Sequence, residues 1–365
     1  MDSGARFRQS FRAKDSADLT EIGLLRRALP LIEAFEGRLP LGRELADINE
    51  HFGVEIAQTV FAQCLERIPN YGEFIRRVRS FNLGATTRIR EAASRFEVTI
   101  VSSSFSGDRE SAARADQWRT WARSMGFTTD VIETDPFGDQ RTNAQIISSH
   151  LLSHSHPRRI LITHGPGAAE FRHLLLMRMG LRGEAALGSD TSPVGELASI
   201  KVWLNIEGAY RGASHARLIN DSLWQKIKRE VSVYLGDSSF GERARRLRQL
   251  DPRLALWKSD PVFPEGLQVI NLIGLPLRSD LRGSMMVAYE TLSREVGPND
   301  GAISLFESIA YPGLILPVPG LSHAAEAAKL EPVLRRVLAI AALDLSASVA
   351  LRNAQLSTRT ASVVL

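Results

Sequence analysis

From about residue 96 to residue 320 the chain alternates between two hydrophobic periods, and few architectures accommodate that. The runs "EVTIVSSSF", "FTTDVIET", "RRILITH", "SIKVWLNIEGA", "LQVINLIGL" and "GLILPVPG" are short, apolar and rich in β-branched residues, so they read as strands. Between the early ones, "ESAARADQWRTWARSMG" and "TNAQIISSHLLSH" carry the three- and four-residue spacing of helices, the first closed by Gly126 as a C-cap. Parallel neighbours need a crossover of helical length, so this succession predicts an α/β fold with a mostly parallel central sheet and flanking helices.

The flanks read differently. Residues 19–95 show helical periodicity through "LTEIGLLRRALPLIEAF", "GVEIAQTVFAQCLERI" and "YGEFIRRVRSF", which predicts a helical N-terminal region packed on the sheet domain after a polar tail, 1–18. Residues 216–265 interrupt the strand rhythm with charged helical sequence and are expected to form a cap-like insertion over the sheet's C-terminal edge, where open α/β sheets bind ligands. The sheet domain is expected over 96–345 and a fraying C-terminal tail over 346–365.

Bulk properties exclude several classes. With 44% hydrophobic and 24% charged residues over 365 positions, the chain is of ordinary globular composition, better suited to one large domain than to two equal ones. The net charge of +4 is spread among interleaved acids and bases without aromatic-basic repeats, which argues against nucleic-acid binding. Cys64 is the only cysteine, so neither an intrachain disulfide nor a multi-cysteine metal site can form, and its helical context suits a structural thiol. No apolar run approaches the ~20 residues of a membrane span. The arginine-rich N-terminus is not a secretory signal, so a cytoplasmic location without stable membrane insertion is the expectation. Oligomeric state is not legible.

The stretch "RRILITHGPGAAEF", residues 158–171, reads as a strand that ends in a tight turn and opens into a helix. Downstream lie the loops "GPNDGAI" and "PGLSHA", in which Asp300 follows Gly165 by 135 positions and His323 follows Asp300 by 23. In these three segments, taken in this order, the chain resembles the α/β-hydrolase family, specifically its lipase- and esterase-like members. "VWLNIEGAYRGASHARLI", with Arg211, Gly212, Ala213 and Ser214, and "TIVSSSFSGD" extend the resemblance over roughly residues 96–330.

The resemblance implies a nucleophile position at Gly165, a triad acid at Asp300 and a triad histidine at His323. It places Ser103, Ser104, Phe105, Pro166 and Gly212 around the substrate and the oxyanion, with an acyl or ester compound as the small-molecule ligand and no cofactor. A serine at such a turn attacks, the histidine takes its proton, and the acid fixes the histidine tautomer. Here the chain departs from the pattern. Glycine has no nucleophile, although it accepts the turn's backbone angle, and Pro166 lacks the N–H that this position gives to the oxyanion.

Plainer roles compete at most of these positions. Asp300 in "PNDG" also suits an ordinary turn, and His323 also suits a surface loop. His164 reads as structural packing, Ser102, Ser103 and Ser104 as small residues of a pocket loop, Ser214 likewise, and Trp118 with Trp121 as core. The basic run "ERARRLRQL" reads as a solvated helix face. His150, His154 and His156 read as a solvated helix end, because no carboxylate or cysteine is spaced to join them, and no metal site is expected. Three functions remain open: a serine hydrolase whose serine has been replaced, a non-hydrolytic enzyme using a His323–Asp300 general-base dyad, and a ligand-binding or scaffold protein.

Overall fold

In the computed structural model, which describes residues 21–103, 109–179, 195–216, 246, 248–254, 257–324 and 326–361, six strands form one sheet. They are β1 (Glu97–Ser102), β2 (Thr128–Glu133), β3 (Arg159–Gly165), β4 (Ile200–Gly208), β5 (Gln268–Leu275) and β6 (Leu314–Pro319). Their order is β2-β1-β3-β4-β5-β6, and every pairing is parallel. All seven residues of β3 are buried, as a central parallel strand covered on both faces requires. The chain steps outward from β1 to β2 and returns to β3, so the order reverses between β1 and β3. In open α/β sheets such a reversal is where ligands are bound, beyond the C-terminal strand ends.

Helices close both faces. On one side, α6 (Arg109–Ser124) and the long C-terminal α12 (Ala327–Ala361) pack with the N-terminal helices α1 (Glu21–Glu33), α2 (Gly42–Phe52), α3 (Val54–Arg67), α4 (Pro69–Ser80) and α5 (Thr86–Ala93). On the other, α8 (Pro166–Met179) covers β3 and β4, flanked by α7 (Gln140–Ser153) towards β2 and by the short α9 (Gly195–Ala198), with Phe171 and Trp203 meeting edge to face at 4.8 Å. One apolar cluster runs from Leu24, Phe61 and Ile75 through Ile100, Trp118 and Trp121 to Ile315 and Leu334. The N-terminal helices therefore share the core of the sheet. Cys64 is buried within it, and its thiol is pushed up to about 11, chiefly by that burial.

Two polar devices fix the loops above the sheet. Asn205 and Asn271 pair across β4 and β5, and Asn271 also donates to Ala310 O and Leu314 O, which pins the approach to β6. Gln58 on α3 donates to Asn299 O at 3.0 Å, and Asn49 on α2 donates to Ser293 O. The N-terminal helices thus hold the loop that carries Asp300.

Most of the expected cap, residues 217–245, lies outside the described residues, as do Ser104 and Phe105. The helix α12 continues to Ala361, so residues 346–361, expected as a fraying tail, extend it. Within the cap-like insertion, Arg246 of the basic run "ERARRLRQL", expected on a solvated face, is instead buried in the body of the protein. Its guanidinium donates to Glu170 Oε1 at 2.6 Å, to Ser103 Oγ at 2.9 Å and to Pro136 O, while Asn143 Nδ2 donates to the same Glu170 oxygen. The two ionic side chains are 3% and 2% exposed. Removing one member of such a pair strands the other charge in the interior, so Arg246→Met should cost about 3–5 kcal/mol in a urea titration. Arg38→Met, which removes the exposed Arg38–Glu44 pair, should leave the urea midpoint nearly unchanged.

Candidate active site

The strand β3 ends at Gly165, whose φ is +50°, and helix α8 begins at the next residue. Both residue types suit this corner. Glycine occupies the left-handed region without a Cβ penalty, and Pro166 is favoured at the first helical position, where its missing N–H breaks no helical bond. The result is a strand-to-helix elbow at the C-terminal end of β3, beside the point where the strand order reverses.

Asp300 and His323 meet beside it. Asp300 Oδ2 lies 3.0 Å from His323 Nδ1, and His323 N donates to Asp300 O at 2.9 Å, so side chain and backbone both tie the two loops together. The other carboxylate oxygen, Oδ1, accepts from the N–H groups of Ala302 and Ile303 at 2.8 and 2.7 Å. The turn role and the histidine-facing role of Asp300 are therefore divided between its two oxygens. Asp300 does not sit at a strand end. It follows α10 (Gly283–Val296) and the short α11 (Leu305–Ser308) comes after it, while Asp280, closer to the end of β5, pairs with Lys329 Nζ at 2.9 Å.

Under His323 lies a second pair. The His164 ring stacks on His323 with centroids 5.0 Å apart and 27° between planes, and its edge meets Trp118 at 5.9 Å. Arg114 Nη1 lies 3.2 Å from His164 Nδ1, and Glu207 Oε2 lies 3.7 Å from His164 Nε2. In the β3–β4 register His164 faces Ile206 and Gly165 faces Gly208, so Glu207 is the extra residue of a bulge. Its φ of +44° is unusual for a residue with a side chain. Both Glu207 oxygens are buried without a hydrogen-bond partner. Burial, and then the nearby Asp300 charge, hold its carboxyl well above the usual range. Burial, with Arg114 and His323 adding to it, holds His164 well below the usual histidine value. His215 is lowered too, by burial and by His323, which marks it as a neighbour of the same site.

The remaining expected residues fall into place as follows. Ser103 is buried in the Glu170–Arg246 ion pair. Gly212, with φ of +95°, packs against the backbone of Leu250 and Pro252, where a Cβ would collide. Ser214 binds Glu307 through both its N–H and its hydroxyl, and Trp118 and Trp121 are core residues. His150 and His154 stack at 4.2 Å, and a carboxylate does reach them: Asp130 on β2 lies 2.5 Å from His150 Nε2. Spacing along the chain concealed that partner because it arrives from a different element.

No family model matches the sequence, and no curated protein matches it. Solved structures match in form. The metagenomic carboxyl esterase MGS0156 superposes with a TM-score of 0.52 over 69% of this chain and 76% of its own, at 16% identity. The chain has the α/β-hydrolase fold. The Bacillus licheniformis lipase BlEst2 in its propeptide form is similar over 67% of this chain and 50% of its own, with a TM-score of 0.45 and 13% identity. This chain therefore spans about half the length of that lipase form. Within the α/β-hydrolase frame, the elbow at Gly165 and the loops of Asp300 and His323 lie at the C-terminal edge of the sheet.

Glu207, Arg114 and His215 escaped the sequence reading. Only "EG" at a strand end hinted at Glu207, since an acid at the close of a buried strand needs a reason. Arg114 and His215 sit in unremarkable helical or loop contexts.

Three histidines, the buried His164 and the half-buried His173 and His215, have their pKa lowered, with desolvation as the leading cause for each. The unfolded chain then binds more protons than the folded one below the ordinary histidine value of about 6.5. Stability should be full above that value and fall as pH drops below it. A urea midpoint that decreases from about pH 7.5 to about pH 5.5 is the expected result, and a flat profile would contradict the desolvated, neutral state of these rings.

Proposed function

We propose that the chain acts on an acyl or carboxylic ester compound at the C-terminal strand ends beside Gly165, with water in place of a serine nucleophile and His323 as its general base. The observation that carries this reading is the Asp300–His323 tie: side chain and backbone hold the dyad in working geometry beside an elbow that has no side chain.

Asp300 fixes the proton on His323 Nδ1, so Nε2 is the basic nitrogen. Water gives a proton to Nε2 as its oxygen bonds to the carbonyl carbon, and the carbonyl π pair moves onto the carbonyl oxygen. Collapse breaks the bond to the leaving oxygen, which takes the proton back from His323. Pro166 offers no N–H to the oxyanion, but Gly167 and Ala168 follow it in the first turn of α8, where backbone N–H groups have no helical acceptor and the helix dipole favours negative charge. General-base catalysis of this kind supplies about 10²–10⁴ in rate, enough for an activated ester.

Hydrolysis of p-nitrophenyl acetate tests the reading. The parent chain should turn it over without a burst of bound acyl group, and His323→Ala should lower the rate by about 10²-fold or more. A silent parent whose Gly165→Ser variant is active, and inactive again when His323→Ala is added, would instead identify a serine hydrolase that has lost its serine. Glycine's φ of +50° makes that serine cost about 1–2 kcal/mol of stability, so the variant should fold.

A further inference from the structure

Buried polar atoms without partners are rare, and each calls for an explanation. Here His164 Nε2, Glu207 Oε1 and Glu207 Oε2 gather in one place. With His323 they form a group in which one donor atom from each residue lies within 4.8 Å of the others. Three points no more than 4.8 Å apart always fit within a circle of radius 4.8/√3, so one position lies within about 2.8 Å of all three atoms. Metal–nitrogen and metal–carboxylate distances of about 2.0–2.2 Å are then reached by small movements of each side chain.

We propose that His164, Glu207 and His323 form a binding site for a first-row divalent cation, zinc above all. The backbone supports it. Glu207 is brought inward by a bulge and a left-handed backbone angle, costly features that concentrate where a side chain must be re-aimed. Gly274 on β5 leaves space for it, since a Cβ there would run into Glu207 Oε1 and the Leu321 carbonyl.

The surroundings suit a metal as well. Asp300 holds the Nδ1 edge of His323, the arrangement in which a carboxylate fixes the tautomer of a metal-ligating imidazole. Two imidazoles and one carboxylate select zinc or a neighbouring transition metal over calcium or magnesium, which prefer all-oxygen shells. Three protein ligands leave a tetrahedral zinc one position for water, and zinc-bound water ionises near pH 7.

Arg114 opposes the cation. Its guanidinium faces His164 Nδ1, the nitrogen that carries the proton when Nε2 binds metal, and must turn aside. A cation on His323 Nε2 excludes a proton there, so the metal-bound chain would act on an ester through the cation's water and not through His323 as base; that step rests on the substrate class proposed above, whereas uptake itself is measured without any ester.

The test is titration of chelator-stripped protein with Co²⁺, followed by its d–d absorption, and with Zn²⁺ by calorimetry. The parent should bind one equivalent of either, and Ca²⁺ should not compete. Glu207→Gln should weaken binding by about 100-fold or more. Glu207→Gly, which suits the left-handed backbone and guards against misfolding of the first variant, should do the same. Arg114→Met should tighten binding. No saturable uptake, uptake unchanged in Glu207→Gly, or uptake lost only when His150 and His154 are replaced would each overturn the proposal. So would a carboxylic-acid carbonyl band in the infrared at neutral pH, absent from Glu207→Gln, in a parent chain that takes up no metal: a proton would then hold those oxygens. His323-dependent ester turnover without metal uptake would leave the general-base reading standing and this one refuted.

Discussion

A left-handed corner at the end of the most buried strand governs this molecule. Because β3 lies fully covered at the centre of the sheet, the chain must leave it abruptly, and a single residue with φ of +50° turns it directly into helix α8. That corner lies where the strand order reverses, the place at which open α/β sheets bind their ligands. In hydrolases built on this frame a serine occupies the corner under strain. Glycine takes this left-handed angle without strain and carries no side chain, while Pro166 suits the first helical position and has no N–H.

What surrounds the corner is not as free of strain. Stability alone would favour an ordinary pairing of β4 with β3, yet Glu207 is bulged out of register with a positive φ and two unsatisfied oxygens. Asp300 splits its oxygens between a turn and His323, and Gln58, reaching from the N-terminal helices, helps hold the loop that bears it. Local costs of this kind persist only when surrounding structure enforces them, and they cluster at working sites. A frame retained only for its shape has no need of them.

The fold was legible because its signals are local and redundant. Six β-branched runs and the helical periods between them specify a parallel sheet before any contact is known, and each run is a strand of that sheet. The meeting of Asp300 with His323 was legible for a different reason: resemblance supplied a chain order that periodicity cannot. Glu207 and Arg114 were not legible, since their importance arises from register and from the approach of separate elements. A bulge is invisible in a one-residue slip of an apolar run, and Arg114 becomes significant only when α6 brings it against His164. The Asp130–His150 contact was missed for the same reason.

Electrostatics then separates the two histidines of the stack. Both rings lie in one small volume, but Asp300 faces His323 through a hydrogen bond, whereas Arg114 faces His164. A carboxylate at Nδ1 stabilises an imidazolium, and a guanidinium there repels one. His323 is accordingly the ring equipped to accept a proton, and His164 the ring held neutral beneath it, with its second nitrogen turned toward Glu207. Buried and faced by a guanidinium, His164 is a poor base, and a neutral imidazole can still ligate a metal. The proton-transfer reading and the cation reading both call on His323, through its nitrogen away from Asp300, while His164 and Glu207 serve only the second; Arg114, set against His164, opposes the cation and so weighs on the choice between them.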